Sequence, residues 1–174
     1  MLFNWSKLSR RASAEQMVAQ RESELLDVMS SLLVDVSERY FAVLLADGDL
    51  QLIQAEKELV EQQLRQTEEL YERKLVRITD FLETQARADS VRTDVIDAEN
   101  TAALSREALS ELTGQYIGDL LPIRADFTLP VMENSVDYWT DLSMSSNSLL
   151  LSKREAVLAA EEGVQEQKGG HYPT

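Results

Sequence analysis

The sequence predicts an all-α fold: a long antiparallel coiled-coil helical hairpin, an irregular equatorial belt, and a third helix packed on the upper part of the first. Apolar and small residues recur alternately three and four positions apart on both sides of residues 74–80, which is the spacing of a coiled-coil seam. The phase of this spacing is reset at Ile78-Thr79-Asp80, which favours two helices over one. Only three prolines and six glycines in 174 residues, with 28% charged residues, suit long helices better than sheets.

The first helix is predicted from about residue 6 to residue 74. One register of its seam reads Met29, Val36, Val43, Leu50, Lys57, Leu64, Tyr71 and Ile78, and the interleaved register reads Leu25, Leu32, Arg39, Ala46, Ile53 and Val60. Gly48 is a possible turn, but the seam keeps its phase across it, so we expect a continuous helix that tolerates about 1 kcal/mol for the glycine. The apolar stripe is broad between Leu25 and Leu45 and narrows beyond Leu50. A broad stripe predicts several packing neighbours, and a narrow one predicts a single partner helix.

The hairpin turn is predicted between Lys74 and Asp80. Asp80 followed by Glu83 has the spacing of an N-cap residue and a carboxylate that reaches back to it, so Asp80 is predicted to start the second helix. Arg73, Lys74 and Arg77 are predicted at the end of the first helix, where the helix dipole favours cations. The alternative is one unbroken helix with a phase slip.

The second helix is predicted from Asp80 to about Tyr116, antiparallel to residues 40–76. Its seam consists of Phe81, Thr84, Ala88, Val91, Val95, Ala98, Ala102, Ser105, Leu109, Leu112 and Tyr116. Pro122 and Pro130 mark an irregular passage that follows it.

Two further helices are predicted after this passage. A short helix over residues 135–143 has Tyr138, Trp139 and Leu142 on one face. A last helix over residues 147–168 ends at Gly169-Gly170 and is expected to pack on the uncovered start of the first helix. The apolar side of this last helix comprises Leu150, Val157, Ala160 and Val164. These elements divide the chain into a hairpin (residues 1–116, tip turn at 74–80), a belt (117–146) and a return helix (147–174).

Composition and motifs exclude most chemistry. The chain has 31 acidic and 17 basic residues and a net charge of −14, so nucleic acid and anionic membrane surfaces are not expected partners. It lacks cysteine, and its one histidine, His171, cannot build a bundle di-metal site or a catalytic triad. No enzyme activity, catalytic residue, metal or cofactor is therefore predicted. The longest apolar runs are too short to span a membrane, and the opening lacks the pattern of a signal peptide, so we expect the chain to be soluble.

The tip residues allow two interpretations. Thr79 and Asp80 serve helix capping alone, or they are exposed at the tip for docking or gating. Arg73, Lys74 and Arg77 complement the helix dipole, or they form a contact patch for an acidic partner.

Several segments, taken in order and with their spacing, resemble the TolC family of outer-membrane efflux and secretion channels of Gram-negative bacteria. They are Leu2-Phe3-Asn4-Trp5-Ser6-Lys7, Tyr40-Phe41-Ala42-Val43-Leu44, Leu75-Val76-Arg77-Ile78-Thr79-Asp80, Gln85-Ala86-Arg87-Ala88-Asp89, Leu112-Thr113-Gly114 and Gly170-His171-Tyr172-Pro173-Thr174. The resemblance covers nearly the whole chain. One departure lies at the tip, where Arg73-Lys74 stands in place of the family's usual Val-Gly.

The resemblance implies a homotrimeric channel, of which this chain is one periplasmic helical half-repeat whose return helix leads to a membrane strand outside the sequence. It implies that the tip, here Arg73, Lys74, Leu75, Arg77 and Ile78, docks a periplasmic adaptor protein and through it an inner-membrane pump. It also implies that Thr79 and Asp80 help to latch the closed end. The chain would then be a passive conduit for efflux or type I secretion, located in the periplasmic portion of an outer-membrane protein. The competing class is a free-standing coiled-coil scaffold protein, which helical spacing alone allows equally well.

Overall fold

The structure is a computed structural model that describes residues 5–124, 126–131 and 134–169. The described chain contains four α-helices in the order α1 (Trp5–Glu72), α2 (Ile78–Thr113), α3 (Val136–Ser146) and α4 (Ser148–Gly169), and no strand. The predicted all-α fold is confirmed. The segments Leu2-Phe3-Asn4 and 170–174 that contribute to the family resemblance lie outside the described residues.

The described chain falls into two units. The hairpin unit comprises residues 35–127, and the return-helix unit comprises the described residues of 1–34 and 128–174. α1 contributes residues to both units, because it is a continuous helix of 68 residues. The helix passes through Gly48 without a break, as the unbroken seam predicted.

The core of the hairpin unit is the seam between α1 and α2. The buried residues of α1 are Val43, Ala46 and Val60, and those of α2 are Ala88, Val91, Val95, Ala98, Ala102 and Leu109. All nine stand at predicted seam positions, and their three-and-four spacing places them on one side of each helix. Val60, Ala88 and Val91 form a buried cluster on which Leu64 packs. The alternative of one unbroken helix is wrong.

α2 ends earlier than the seam predicted. Its C-cap is Gly114, whose φ of 68° lies in the left-handed region and whose backbone N–H donates to the Ser110 carbonyl oxygen at 2.8 Å. Glycine favours this ending because it has no Cβ to clash in that conformation. Tyr116 therefore lies beyond the helix and is 93% exposed, so its predicted place in the seam is wrong.

Between α2 and α3 the described residues form no regular helix or strand, in agreement with the irregular passage predicted from the prolines. Tyr40 of α1 donates its hydroxyl to the Leu121 carbonyl oxygen at 2.6 Å, which fixes the start of this passage on the hairpin. A turn follows, in which the Phe127 N–H donates to the Arg124 carbonyl oxygen at 3.0 Å.

In the return-helix unit, α3 and α4 start on side-chain caps. Ser135 accepts a hydrogen bond from the Tyr138 N–H at 3.2 Å, and Asn147 accepts one from the Leu150 N–H at 2.8 Å. Such caps satisfy backbone donors that have no partner inside the helix. Both helices lie where the sequence predicted them, within three residues at each end.

The face that α4 buries differs from the predicted one. Val157, Ala160 and Val164 are exposed and Leu150 is only half-buried, whereas Ser152 is buried. α4 meets α1 on its small residues, since the Ser13 hydroxyl donates to the Ala159 carbonyl oxygen at 3.1 Å. Small side chains permit close approach of two helix backbones, so the contact follows residue size rather than apolar character.

Candidate docking tip

The tip loop, defined here as residues 73–77, joins α1 to α2. The first helix ends at Glu72 in a Schellman motif. The Leu75 N–H donates to the Leu70 carbonyl oxygen and the Lys74 N–H to the Tyr71 carbonyl oxygen, both at 2.8 Å. This pair of bonds satisfies carbonyl groups that the helix end would otherwise leave free. It requires a left-handed residue at position 74, and Lys74 has a φ of 59°.

The second helix starts earlier than predicted. Ile78 is its first residue, Arg77 is the N-cap and Asp80 is the third helical residue. The Asp80 carboxylate reaches back to accept the Arg77 backbone N–H at 3.4 Å. Asp80 is therefore the carboxylate that reaches back to the N-cap residue, which was the role predicted for Glu83. The predicted role of Asp80 as the N-cap itself is wrong. The spacing of three residues that identifies a capping box fits both placements.

Arg77 also lies elsewhere than predicted. It precedes α2 instead of ending α1, and a cation is disfavoured by the helix dipole at this end. The Asp80 carboxylate offsets the charge, since Oδ1 accepts a hydrogen bond from Arg77 Nη2 at 3.1 Å. The same oxygen accepts the Thr79 hydroxyl at 3.2 Å. These donors, the Arg77 guanidinium above all, lower the pKa of Asp80 from its ordinary value.

Aromatic rings hold the two helices together directly behind the loop. Tyr71 and Phe81 stack with ring centroids 5.3 Å apart and planes 9° from parallel. Such contacts stabilise a structure beyond the area that they bury. The sequence placed both residues in the seam but did not predict that they pair. The signal that could have identified the pair is that both aromatic residues occupy seam positions, one before and one after residues 78–80, where the heptad phase changes.

Further along the hairpin, polar contacts fix the register of the two helices. Arg106 binds Asp47 at 2.6 Å, with both side chains partly buried. Arg92 binds Glu61 at 3.1 Å, which raises the pKa of Arg92. The Arg39 guanidinium donates to the Ala108 carbonyl oxygen at 2.9 Å. These pairs run antiparallel on either side of the tip loop, which confirms the predicted hairpin.

The structure brings the predicted tip residues together in one turn of chain. Arg73, Lys74, Leu75, Arg77, Ile78 and Thr79 are exposed, and Asp80 is half-buried. Val76 of the same loop is half-buried, a difference from its neighbours that the sequence analysis did not predict. The turn therefore exposes cationic and apolar side chains next to each other.

Elsewhere the hairpin carries an open groove of about 370 Å³ between α1 and α2. Four carboxylates line it, contributed by Asp49, Glu56, Asp94 and Asp97. Among residues 5–124, 126–131 and 134–169, however, no group of histidine, aspartate or glutamate side chains is arranged to hold a metal ion. In the same residues, no helix is both long and apolar enough to cross a membrane.

Comparison with known proteins gives consistent matches. The family model for outer membrane efflux proteins matches residues 1–115. The outer membrane protein TolC of Vibrio cholerae is 32% identical over 163 residues, which cover 93% of this chain and 37% of that protein. The alkaline protease secretion protein AprF of Pseudomonas aeruginosa is 29% identical over 175 residues, covering 99% of this chain and 36% of that protein.

The TolC protein of Escherichia coli is 27% identical over 173 residues, which cover 99% of this chain and 35% of that protein. The chain thus spans just over a third of the length of the curated relatives that it matches.

Proposed function

Because this chain belongs to the outer membrane efflux protein family, the TolC-like channels of Gram-negative bacteria, we propose that it forms a periplasmic helical segment of a trimeric channel for efflux or type I secretion. The observation that carries the proposal is the family match over residues 1–115, a range that contains the whole of α1 and the whole of α2. The relative AprF is named for the secretion of alkaline protease, which supports secretion as one of the tasks.

In this function the segment is a passive conduit that performs no reaction. The tip residues Arg73, Lys74, Leu75, Arg77 and Ile78 dock a periplasmic adaptor protein, which links the channel to an inner-membrane pump. Their exposure at the end of the hairpin supports this role. The division into hairpin (1–116), belt (117–146) and return helix (147–174) belongs to the same proposal.

Export by the full-length protein tests the proposal. Deleting its gene should reduce the secretion of a protease or the efflux of a fluorescent dye, and restoring the full-length gene should recover it. Cross-linking of the protein in native membranes should give a species of three copies. Unchanged export of every tested compound in the deletion strain would contradict the conduit function.

The proposal also assigns Thr79 and Asp80 to a latch that keeps the channel entrance closed. Asp80→Asn keeps an oxygen that can accept the Arg77 N–H but loses the charge that pairs with the guanidinium. We therefore expect reconstituted Asp80→Asn trimers to keep the start of α2 and yet conduct more than the unmodified channel. If the Asn variant conducts normally while Asp80→Ala opens the channel, Asp80 serves only to cap α2.

A further inference from the structure

Positive charge is concentrated in the tip loop, although the chain as a whole has a net charge of −14. Three of the five loop residues are cationic: Arg73, Lys74 and Arg77. We infer that the tip loop docks on a compact acidic patch of its protein partner. The inference rests on the proposed function, and it specifies the chemistry that the adaptor surface must present.

Two of these cations are available to a partner. In the described chain, neither Arg73 nor Lys74 forms an ion pair or a side-chain hydrogen bond, and both side chains are exposed. Arg77 binds Asp80 but keeps 83% of its side chain exposed. Arg77 can therefore keep Asp80 and still face a second carboxylate, because a guanidinium carries five N–H donors.

The backbone of Lys74 argues against a purely structural reason for its charge. The Schellman bonds of the loop are made by backbone atoms, so they do not require a lysine side chain. Glycine adopts a φ near +60° without steric cost, whereas a lysine in this conformation has a steric cost from its Cβ. The helix dipole favours a cation there, but Arg73 already supplies one at the preceding position. The structure of the turn therefore gives no reason for a lysine side chain at this position, and contact with a partner supplies one.

Apolar side chains among the cations favour a protein as the partner. Leu75 is 67% exposed and Ile78 is 52% exposed. Protein interfaces commonly combine apolar residues with arginine.

The acidic residues around the loop argue against a membrane surface. They are Glu68, Glu69 and Glu72 before the loop and Glu83 after it. An extended anionic surface would lie near these carboxylates as well as near the loop, and it would repel them. This repulsion acts over about 8 Å at physiological salt. A compact acidic patch can contact the three cations and avoid the flanking carboxylates.

The test measures binding of the full-length channel, in nanodiscs, to the soluble periplasmic domain of the adaptor encoded with the same export system. Affinity is compared from about 50 to about 300 mM NaCl, a range over which exposed charges become screened. Arg73→Gln/Lys74→Gln should weaken binding about threefold to tenfold at low salt, as expected for two exposed ion pairs, and less at high salt. Arg65→Gln removes an exposed cation from α1 outside the loop and should leave binding unchanged.

A second variant separates binding from folding. Lys74→Gly removes the charge while relieving the backbone, so its turn should be more stable and its binding weaker. Weakened binding in this variant supports docking through charge, because a loss of turn structure cannot explain it. Binding as tight as that of the unmodified channel in both loop variants, without salt dependence, overturns the inference and leaves adaptor docking intact.

Two other outcomes also overturn the inference. If the unmodified channel fails to bind the adaptor at every salt concentration, the proposed docking function fails as well. Vesicles of phosphatidylcholine with phosphatidylglycerol test the remaining alternative. Binding of a detergent-solubilised channel to these vesicles that is lost in Arg73→Gln/Lys74→Gln would identify an anionic lipid surface as the partner instead.

Discussion

At the scale of single residues, Lys74 carries the clearest conflict between side chain and backbone. Its φ of 59° is the only positive value of a non-glycine residue in the described chain. A left-handed conformation costs a non-glycine residue roughly 1–2 kcal/mol. Replacement by glycine removes this cost, but glycine also raises the conformational entropy of the unfolded chain, which offsets part of the gain in stability. We therefore expect Lys74→Gly to stabilise the chain by about 0.5–1 kcal/mol in denaturant unfolding. Lys74→Ala keeps the Cβ and is the control, and equal effects of both changes would contradict the explanation.

Asp80 provides a prediction on pH. Its pKa is lowered in the folded chain, first by the hydrogen bond from Arg77. A lowered folded-state pKa means that the carboxylate stabilises the start of α2 above the ordinary aspartate pKa, and that this contribution is lost as the pH falls through the folded-state value. NMR titration of the Asp80 carboxyl carbon should give a pKa below that of an ordinary aspartate, and Arg77→Gln should raise this pKa. An unchanged titration in Arg77→Gln would show that the guanidinium is not the cause.

At the scale of elements, two glycines with opposite backbone requirements provide a matched pair. Gly48 lies inside α1, and a Cβ added there would meet no atom within 4 Å. Gly48→Ala should therefore stabilise the chain by about 1 kcal/mol through helix propensity. Gly114 has equal space but a φ of 68°, so Gly114→Ala should destabilise it by a similar amount. Thermal unfolding of both variants tests the pair, and shifts of the same sign would contradict it.

The helices themselves were predictable because their signals agree over long stretches. The seam of α1 and α2 repeats often enough that Gly48 could not disturb it. The ends were less predictable, since Asp80 fits a capping box either as N-cap or as third residue, and only the hydrogen bonds decide. The packed face of α4 was missed because hydrophobicity does not report close contacts between small residues such as Ser13 and Ala159.

The candidate site shows the same division. Leu75, Arg77 and Asp80 were placed in the tip by spacing and by family resemblance. The left-handed conformation of Lys74 could not be predicted from the residue type, because lysine rarely adopts this conformation. The residue at this position of a helix end is usually glycine and sometimes asparagine. The exposed charges follow from this backbone geometry, which places the loop residues outside the seam.

At the scale of the whole molecule, exposed apolar surface predicts self-association. In the return-helix unit, α1 exposes a row of large apolar side chains: Leu25, Leu26, Val28, Met29, Leu32, Leu33 and Val34. A contiguous patch of this kind usually marks an interaction surface. Sedimentation of the 174-residue chain should show an average mass that rises with concentration. Leu26→Glu/Leu33→Glu, seven residues apart on one helix face, should lower it, and a strict monomer at high concentration would contradict the prediction.

The seam of the hairpin unit also constrains how this part of the chain can change during evolution. Because the apolar pattern of α1 and α2 repeats every seven residues, inserting one heptad into each helix preserves every seam contact. Such a paired insertion between the Asp47–Arg106 ion pair and the tip loop would carry the loop about 10 Å further from that pair. An insertion whose length is not a multiple of seven residues, or one in a single helix, would shift the seam of one helix relative to the other. Homologous hairpins should therefore differ in length by multiples of seven residues in both helices.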